Sequence, residues 1–171
     1  EIEVDEDFAL FVGMFMGDGS LYSDRRGGYT LSIVFDTKDE KSIEEGRRLI
    51  AKFFGEPSSR IVGTGRGGVE VRITRRNLGP IFKSLGLIKK KEADRIRRHV
   101  HVPSWIMASP RPVVAAFLRG IFDTDGFCAY KTPRICMFSK YEDFIRDIQI
   151  LLLSFGITSK LTIENKIHPN G

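Results

Sequence analysis

Apolar and polar positions follow two periods along this chain, and the periods alternate in a fixed order. Residues 7–17, DFALFVGMFMG, are apolar almost all round, which predicts a buried helix. Residues 20–23 and 29–35 alternate with period two around DRRGG, the pattern of a hairpin with a flexible turn. Residues 40–54 return to helical spacing and close on Phe54-Gly55. Two further strands, 60–63 and 69–74, flank the glycine-rich TGRGG, and Asn77 is placed to cap a helix running to residue 85. The first half therefore reads helix, strand, strand, helix, strand, strand, helix.

The same order begins again further on. LRGIFDTDGF at 118–127 repeats FVGMFMGDGS at 11–20, pairing Gly13 with Gly120, Asp18 with Asp125 and Gly19 with Gly126 at an offset of 107 residues. After each copy come a strand, Thr-Lys or Ser-Lys, and an amphipathic helix ending in Phe-Gly. Lys38 pairs with Lys140 at an offset of 102, so the second hairpin loop is expected to be five residues shorter. Residues 1–86 form the first repeat, a basic linker covers 87–111, and 112–171 hold the second. In that second repeat 160–167 alternates as a strand, but no return strand or final helix follows HPNG at 168–171. By comparison with the first repeat, roughly 20 residues are expected to be missing or supplied by a second chain. The fold class expected is α+β, with two αββαββα repeats related by a pseudo-twofold axis.

Composition narrows the setting. The 171 residues are 42% hydrophobic, enough for a real core, and no apolar run approaches the roughly 18–20 residues that span a bilayer. The acidic start EIEVDED is unlike a signal peptide, so a cytoplasmic protein is expected. Cys128 and Cys136 lack both disulfide-framework and zinc spacing. One Gln and three Asn among many Lys, Arg and Glu resemble thermophile usage. A net charge of +5 is compatible with a polyanionic partner without identifying one.

The repeat carries the chemistry. A glycine inside a helix costs roughly 1 kcal/mol relative to alanine, so Gly13 and Gly120 need a packing reason. A close crossing of the two motif helices supplies it and brings Asp18 and Asp125 together at the helix ends. Two adjacent carboxylates ionise together only beside a cation. Magnesium, an oxygen-seeking ion that keeps water and phosphate in its shell, suits that site and implies phosphodiester chemistry with one or two metals. Lys38 and Lys140, at strand ends near each acid, would organise the attacking water or offset developing negative charge. Asp123 is matched by Met16 and so lies outside any symmetric site, while His99 and His101 sit in the linker.

These residues make the chain resemble the double-motif LAGLIDADG homing endonucleases, with FVGMFMGDG and LRGIFDTDG filling the nine-residue motif and Met16 standing at the usual Asp position. The context VPSWIMASPRPVVAAFLRGIFDTDG is similar to archaeal and intein-type members, and no splicing residues stand at either end. The resemblance implies a monomeric, magnesium-dependent enzyme that makes a double-strand break in a long, non-palindromic DNA site and leaves short 3′ overhangs. It implies Asp18 and Asp125 as metal ligands joined by the carbonyls of Gly17 and Thr124, with Mn2+ or Ca2+ able to substitute. It also implies that the strand faces turned away from the helices meet DNA. Leu31, Ile33, Phe35, Val69, Val71, Ile73, Ile135 and Met137 would then face inward. Ser20, Tyr22, Arg25, Arg26, Tyr29, Thr30, Ser32, Val34, Arg66, Glu70, Arg72, Thr74, Arg134, Cys136, Thr162, Glu164 and Lys166 become the candidate DNA contacts. The alternative on the same scaffold is a non-catalytic nucleic-acid binder, an RNA maturase or a transcription regulator.

Overall fold

A computed structural model describes residues 3–23, 27–62, 67–87, 100–129 and 133–163 of the chain. Helix α1 (Glu6–Asp18) opens on Asp5, whose carboxylate accepts from the Phe8 N–H at 2.7 Å. Every residue from Phe8 to Phe15 is buried, so α1 is a central rod rather than a surface helix, as its unbroken apolar sequence requires. Strands β1 (Gly19–Ser23) and β2 (Tyr29–Asp36) follow, then helix α2 (Glu40–Phe54), capped by Asp39. Strands β3 (Ser58–Val62) and β4 (Gly68–Arg75) and the short helix α3 (Leu78–Ser84) complete the first repeat. Asn77 stands before α3 without making the expected side-chain cap. The four strands form one antiparallel sheet in the order β1-β2-β4-β3, with α1, α2 and α3 packed against it.

Leu31, Ile33, Val71 and Ile73 turn to the helices and are all but fully buried, as the alternation predicts. They meet an aromatic layer in which Phe8, Phe11, Phe15, Phe53, Phe54 and Phe82 pack ring against ring. Each ring taken out of water contributes roughly 1.5–3 kcal/mol, and Trp105 extends the layer by stacking on Phe8 at 5.9 Å.

The linker region holds a helical turn that the sequence pattern does not predict, α4 (Ser104–Met107), pinned where the Trp105 indole N–H donates to the Leu85 carbonyl at 3.2 Å. Helix α5 (Arg111–Asp125) then starts between Pro110 and Pro112, where a missing N–H costs nothing. Strands β5 (Gly126–Cys128) and β6 (Ile135–Met137) pair antiparallel, and α6 (Glu142–Ser154) buries Phe144, Ile148 and Leu151.

The second repeat departs from expectation in three places. Gly19 pairs with Ile33 and Gly126 with Met137, so the second hairpin is only three residues shorter. The other two residues are lost after the strand: Lys38 lies five positions past Ile33, Lys140 three past Met137. Ile135, expected inward, is 73% exposed. Its counterpart Leu31 is covered because β4 lies beside β2, and no equivalent strand flanks β6 among the described residues. Finally, 160–163 are not strand; the rest of that expected element lies outside the described residues.

Candidate active site and DNA-facing surface

The site begins with the crossing of α1 and α5, the most extensive contact between elements among the described residues. A Cβ placed on Gly13 would sit 2.2 Å from the Phe117 carbonyl oxygen, and one on Gly120 would sit 2.3 Å from that of Leu10. Backbone meets backbone there, so no side chain fits at either position. One turn on, a Cβ at Gly17 would lie 2.0 Å from Thr124 Oγ1 and 3.5 Å from the carboxyl carbon of Asp125. Asp125 therefore reaches across to Gly17, in the last turn of the helix that ends on Asp18.

Both helices leave the crossing in the same way. Gly19 and Gly126 are extended (φ −80°, ψ 151° and φ −82°, ψ 148°), and their N–H groups bond back to the Phe15 and Phe122 carbonyls. The backbone is thus not left-handed, and conformational freedom is not what these glycines provide. A Cβ would lie 2.4 Å from the Phe15 or Phe122 carbonyl oxygen, so glycine lets the chain double back sharply from helix to strand. Asp18 is exposed and Asp125 half-buried, an asymmetry the repeat pattern does not announce.

The electrostatics favour a cation. Two helix C-termini converge, each presenting unsatisfied carbonyls and the negative end of its dipole, with a carboxylate on each. The Thr124 hydroxyl donates to the carbonyls of Gly120 and Ile121 (3.0 and 3.1 Å), which turns it into its own helix and leaves the backbone carbonyl as the oxygen Thr124 could offer to a cation. The oxygens that Asp18, Asp125 and the carbonyls of Gly17 and Thr124 could offer are all of the kind that suits a hard divalent ion such as magnesium, manganese or calcium. Among the described residues no cluster of three or more His, Cys, Asp or Glu gathers as a metal site, so such an ion would complete its shell with water or phosphate.

The lysines are less closely tied to this point. Because β2 runs back toward the start of β1, and β6 toward the start of β5, Lys38 and Lys140 lie at the same sheet ends as Asp18 and Asp125. Both are exposed; the Lys140 ammonium lies 5.1 Å from the ring centre of Tyr141. Asp123 pairs with Arg119 at 3.2 Å on its own helix, and His101 Nδ1 lies 3.0 Å from Asp147, which also accepts from the Val102 N–H.

The outer face of the four-stranded sheet forms cross-strand rows that are polar apart from Val34. Tyr22, Thr30 and Thr74 make one; Ser20, Ser32, Arg72 and Ser58 a second; Val34, Glu70 and Arg60 a third. Thr30, Ser32 and Glu70, expected to reach outward, are 6%, 2% and 5% exposed. Thr30 bonds to Thr74 and Ser32 to Ser20, each at 2.8 Å, while Arg60 and Arg72 close over Glu70. Tyr29 belongs to the inner face with Leu31, its ring against Gly79 of α3, which corrects its placement among the DNA contacts. Tyr22, Val34, Thr74, Arg134 and Thr162 are exposed, and Arg72 and Cys136 partly so. Arg60 and Ser58 join this face unpredicted, since only the register with β4 shows which way they point. Arg25, Arg26, Arg66, Glu164, Lys166 and His99 lie outside the described residues.

Comparison with known proteins agrees with this architecture. The structure is similar to that of the homing endonuclease I-DmoI in complex with DNA and Mn, with a TM-score of 0.67, 16% identity and coverage of 95% of this chain and 85% of that one. In sequence the chain is similar to part of a DNA polymerase of Thermococcus sp. (strain GE8), 29% identical over 98% of this chain and 9% of the relative. It is likewise 30% identical to part of a probable translation initiation factor IF-2 of Thermococcus kodakarensis, over 91% of this chain and 12% of the relative. The chain spans about a tenth of the length of these curated relatives. No helix among the described residues is long and apolar enough to cross a membrane. Residues 5–86 and 112–171 both match the LAGLIDADG-like domain, and the chain belongs to that family.

Proposed function

We propose that this chain is a site-specific DNA endonuclease that acts as a monomer and breaks both strands of a long, non-palindromic duplex in the presence of magnesium, leaving short 3′ overhangs. The observation that carries the reading is the Gly13–Gly120 crossing, because it brings one carboxylate from each repeat to a common end of two helices. Both acids come from one chain, so one molecule supplies a centre for each strand. The unequal repeats favour unequal half-sites. The likeness to I-DmoI, crystallised with DNA and Mn, supports the same partner and a divalent ion.

A divalent ion bound at the axis would neutralise the two acids and polarise a phosphodiester oxygen. Asp18 and Asp125, with the carbonyls of Gly17 and Thr124, would hold it. Lys38 and Lys140 would stand at the edge of that pocket, each able to orient a water or balance charge on a departing oxygen. The outer face of the sheet would lie along the major groove, whose width of about 12 Å admits antiparallel strands.

The test uses a randomised duplex library with magnesium to recover the cleaved site, followed by Asp18→Asn and Asp125→Asn. Each substitution is expected to bring double-strand cleavage below detection while binding to the recovered duplex persists. Cleavage at the wild-type rate by either variant would remove that residue from the mechanism. Failure of the wild-type protein to cut any duplex would overturn the function.

A further inference from the structure

We infer that Arg60, Glu70 and Arg72 form one sequence-reading unit, in which buried Glu70 is a positioning residue that aims two arginines at guanines in the first half-site. The inference rests on the DNA-binding reading above. Arg60 on β3 stands directly opposite Glu70 on β4, and Arg72 lies two residues along the same strand and therefore on the same face. The Arg60 Nε–H donates to Glu70 Oε2, and Arg72 Nη1 lies 3.9 Å from that same oxygen. Both cations thus converge on one carboxylate oxygen.

The exposures show which groups are left for a partner. The Glu70 side chain is 7% exposed, so it offers little to a ligand, whereas Arg60 and Arg72 remain 53% and 36% exposed. A guanidinium carries five N–H donors in a rigid fork, and one carboxylate oxygen engages few of them. The remaining donors stay available on the outer face, with Arg60 held at one edge by its hydrogen bond and Arg72 drawn toward the same oxygen by charge. Such a fork loses less freedom on binding than a mobile one. An arginine fork matches guanine O6 and N7, the commonest specific contact in the major groove. Glu70 also cancels one positive charge, which weakens any sequence-independent grip on phosphate. It therefore favours reading over mere attraction.

Spacing makes the inference sharper. Diagonal neighbours on adjacent strands stand about 7–8 Å apart, close to two base-pair steps of about 3.4 Å. The two arginines should thus select guanines about two base pairs apart. The hydroxyls of Ser32 and Ser58 flank Arg72 in its row, and the row ends at Ser20.

The test is binding-site selection from a randomised duplex library with the wild-type protein, Glu70→Gln, Arg60→Lys and Arg72→Lys, with thermal melting of each. Wild type is expected to select two guanines about two base pairs apart in one half-site. Glu70→Gln should weaken both preferences by on the order of tenfold, while affinity for unrelated duplex stays level or rises. Each lysine variant keeps its charge but loses the fork, so it should weaken one preference only. A Glu70→Gln profile identical to wild type, or an equal loss of affinity for all sequences, would make the pair purely structural and overturn the inference. A wild-type protein with no sequence preference would overturn both this inference and the DNA reading. A preferred site lacking those guanines would overturn this one alone.

Discussion

At the residue scale the molecule turns on contacts that leave no room for a side chain. Alanine is a better helix former than glycine by roughly 1 kcal/mol, so propensity alone says that Gly13→Ala or Gly120→Ala should stabilise. The crossing reverses that sign. Each new Cβ would meet a carbonyl oxygen at 2.2 or 2.3 Å, and a carbonyl held in a helix yields only if the helix moves. Overpacking of this kind costs about 1–3 kcal/mol or more, so either substitution is expected to lower the unfolding free energy by about 2 kcal/mol in a denaturant titration. An unchanged or higher midpoint would mean that the helices separate easily, and the pairing of Asp18 with Asp125 would lose its structural basis. The crossing glycines and the two acids were legible because the repeat sets them in register with each other. Arg60 was not, since SSRIV carries no alternation that assigns it a face before β4 is laid beside it. Tyr29 misleads for the opposite reason. Its hydroxyl reads as a polar contact, yet it stands in phase with Leu31, Ile33 and Phe35 on the core side.

At the element scale, ion pairs fasten the start of α1 to α2. Arg48 makes a two-point bridge to Asp7 at 2.7 and 2.8 Å, and the Lys52 ammonium joins Asp7 at 2.7 Å and Asp5 at 2.8 Å. Hydrogen bonds from Arg48 and then Lys52 hold the Asp7 carboxyl well below the usual carboxylate range. Burial acts against Asp5, yet its bonds from Lys52 and the Phe8 N–H still lower it. A carboxylate depressed in the folded state adds stability that is present above its unfolded pKa, about 3.9, and is lost as pH falls through the folded value. Asp7→Asn should therefore melt a few degrees below wild type at pH 7, with the gap narrowing steadily from about pH 4 downward. Melting curves across pH 2–8 check this, and a gap independent of pH would assign the loss to packing instead. Elements were the most legible level of the fold: 40–54 is helical as its spacing predicts, and β2 and β4 each differ from the predicted strands by only a residue or two. Helix α4 was not legible, because one turn is too short to show a period and its stability comes from Trp105 reaching Leu85.

At the scale of the whole molecule the two repeats are built unequally, although each contributes one helix to the glycine crossing. The doubled motif made the pseudo-symmetry legible, but not how unevenly the halves are built. In the first, β2 and β4 each have a neighbour on both sides, eight residues long and backed by the aromatic layer. In the second, β5 and β6 are three residues each, with Ile135 and Phe138 at 73% and 65% exposed. Among the described residues β5 and β6 pair only with each other, and a two-stranded hairpin has little stability of its own, so the pair depends on α5, whose last turn leads directly into it. Helix α5 is itself secured to α1 along the glycine crossing. Hydrogen exchange should follow that hierarchy: amides of α1, α5, β2 and β4 should exchange only through global unfolding, and those of 126–128 and 135–137 through local opening at least a hundredfold faster. Binding of a duplex across both halves should slow the hairpin far more than the first sheet, because only the hairpin has protection left to gain. Equal protection in the two sheets of the free protein would contradict this ranking. Its confirmation would place Asp125 at the junction of a rigid helix with the least stable strand pair, and Asp18 at the edge of the most stable one.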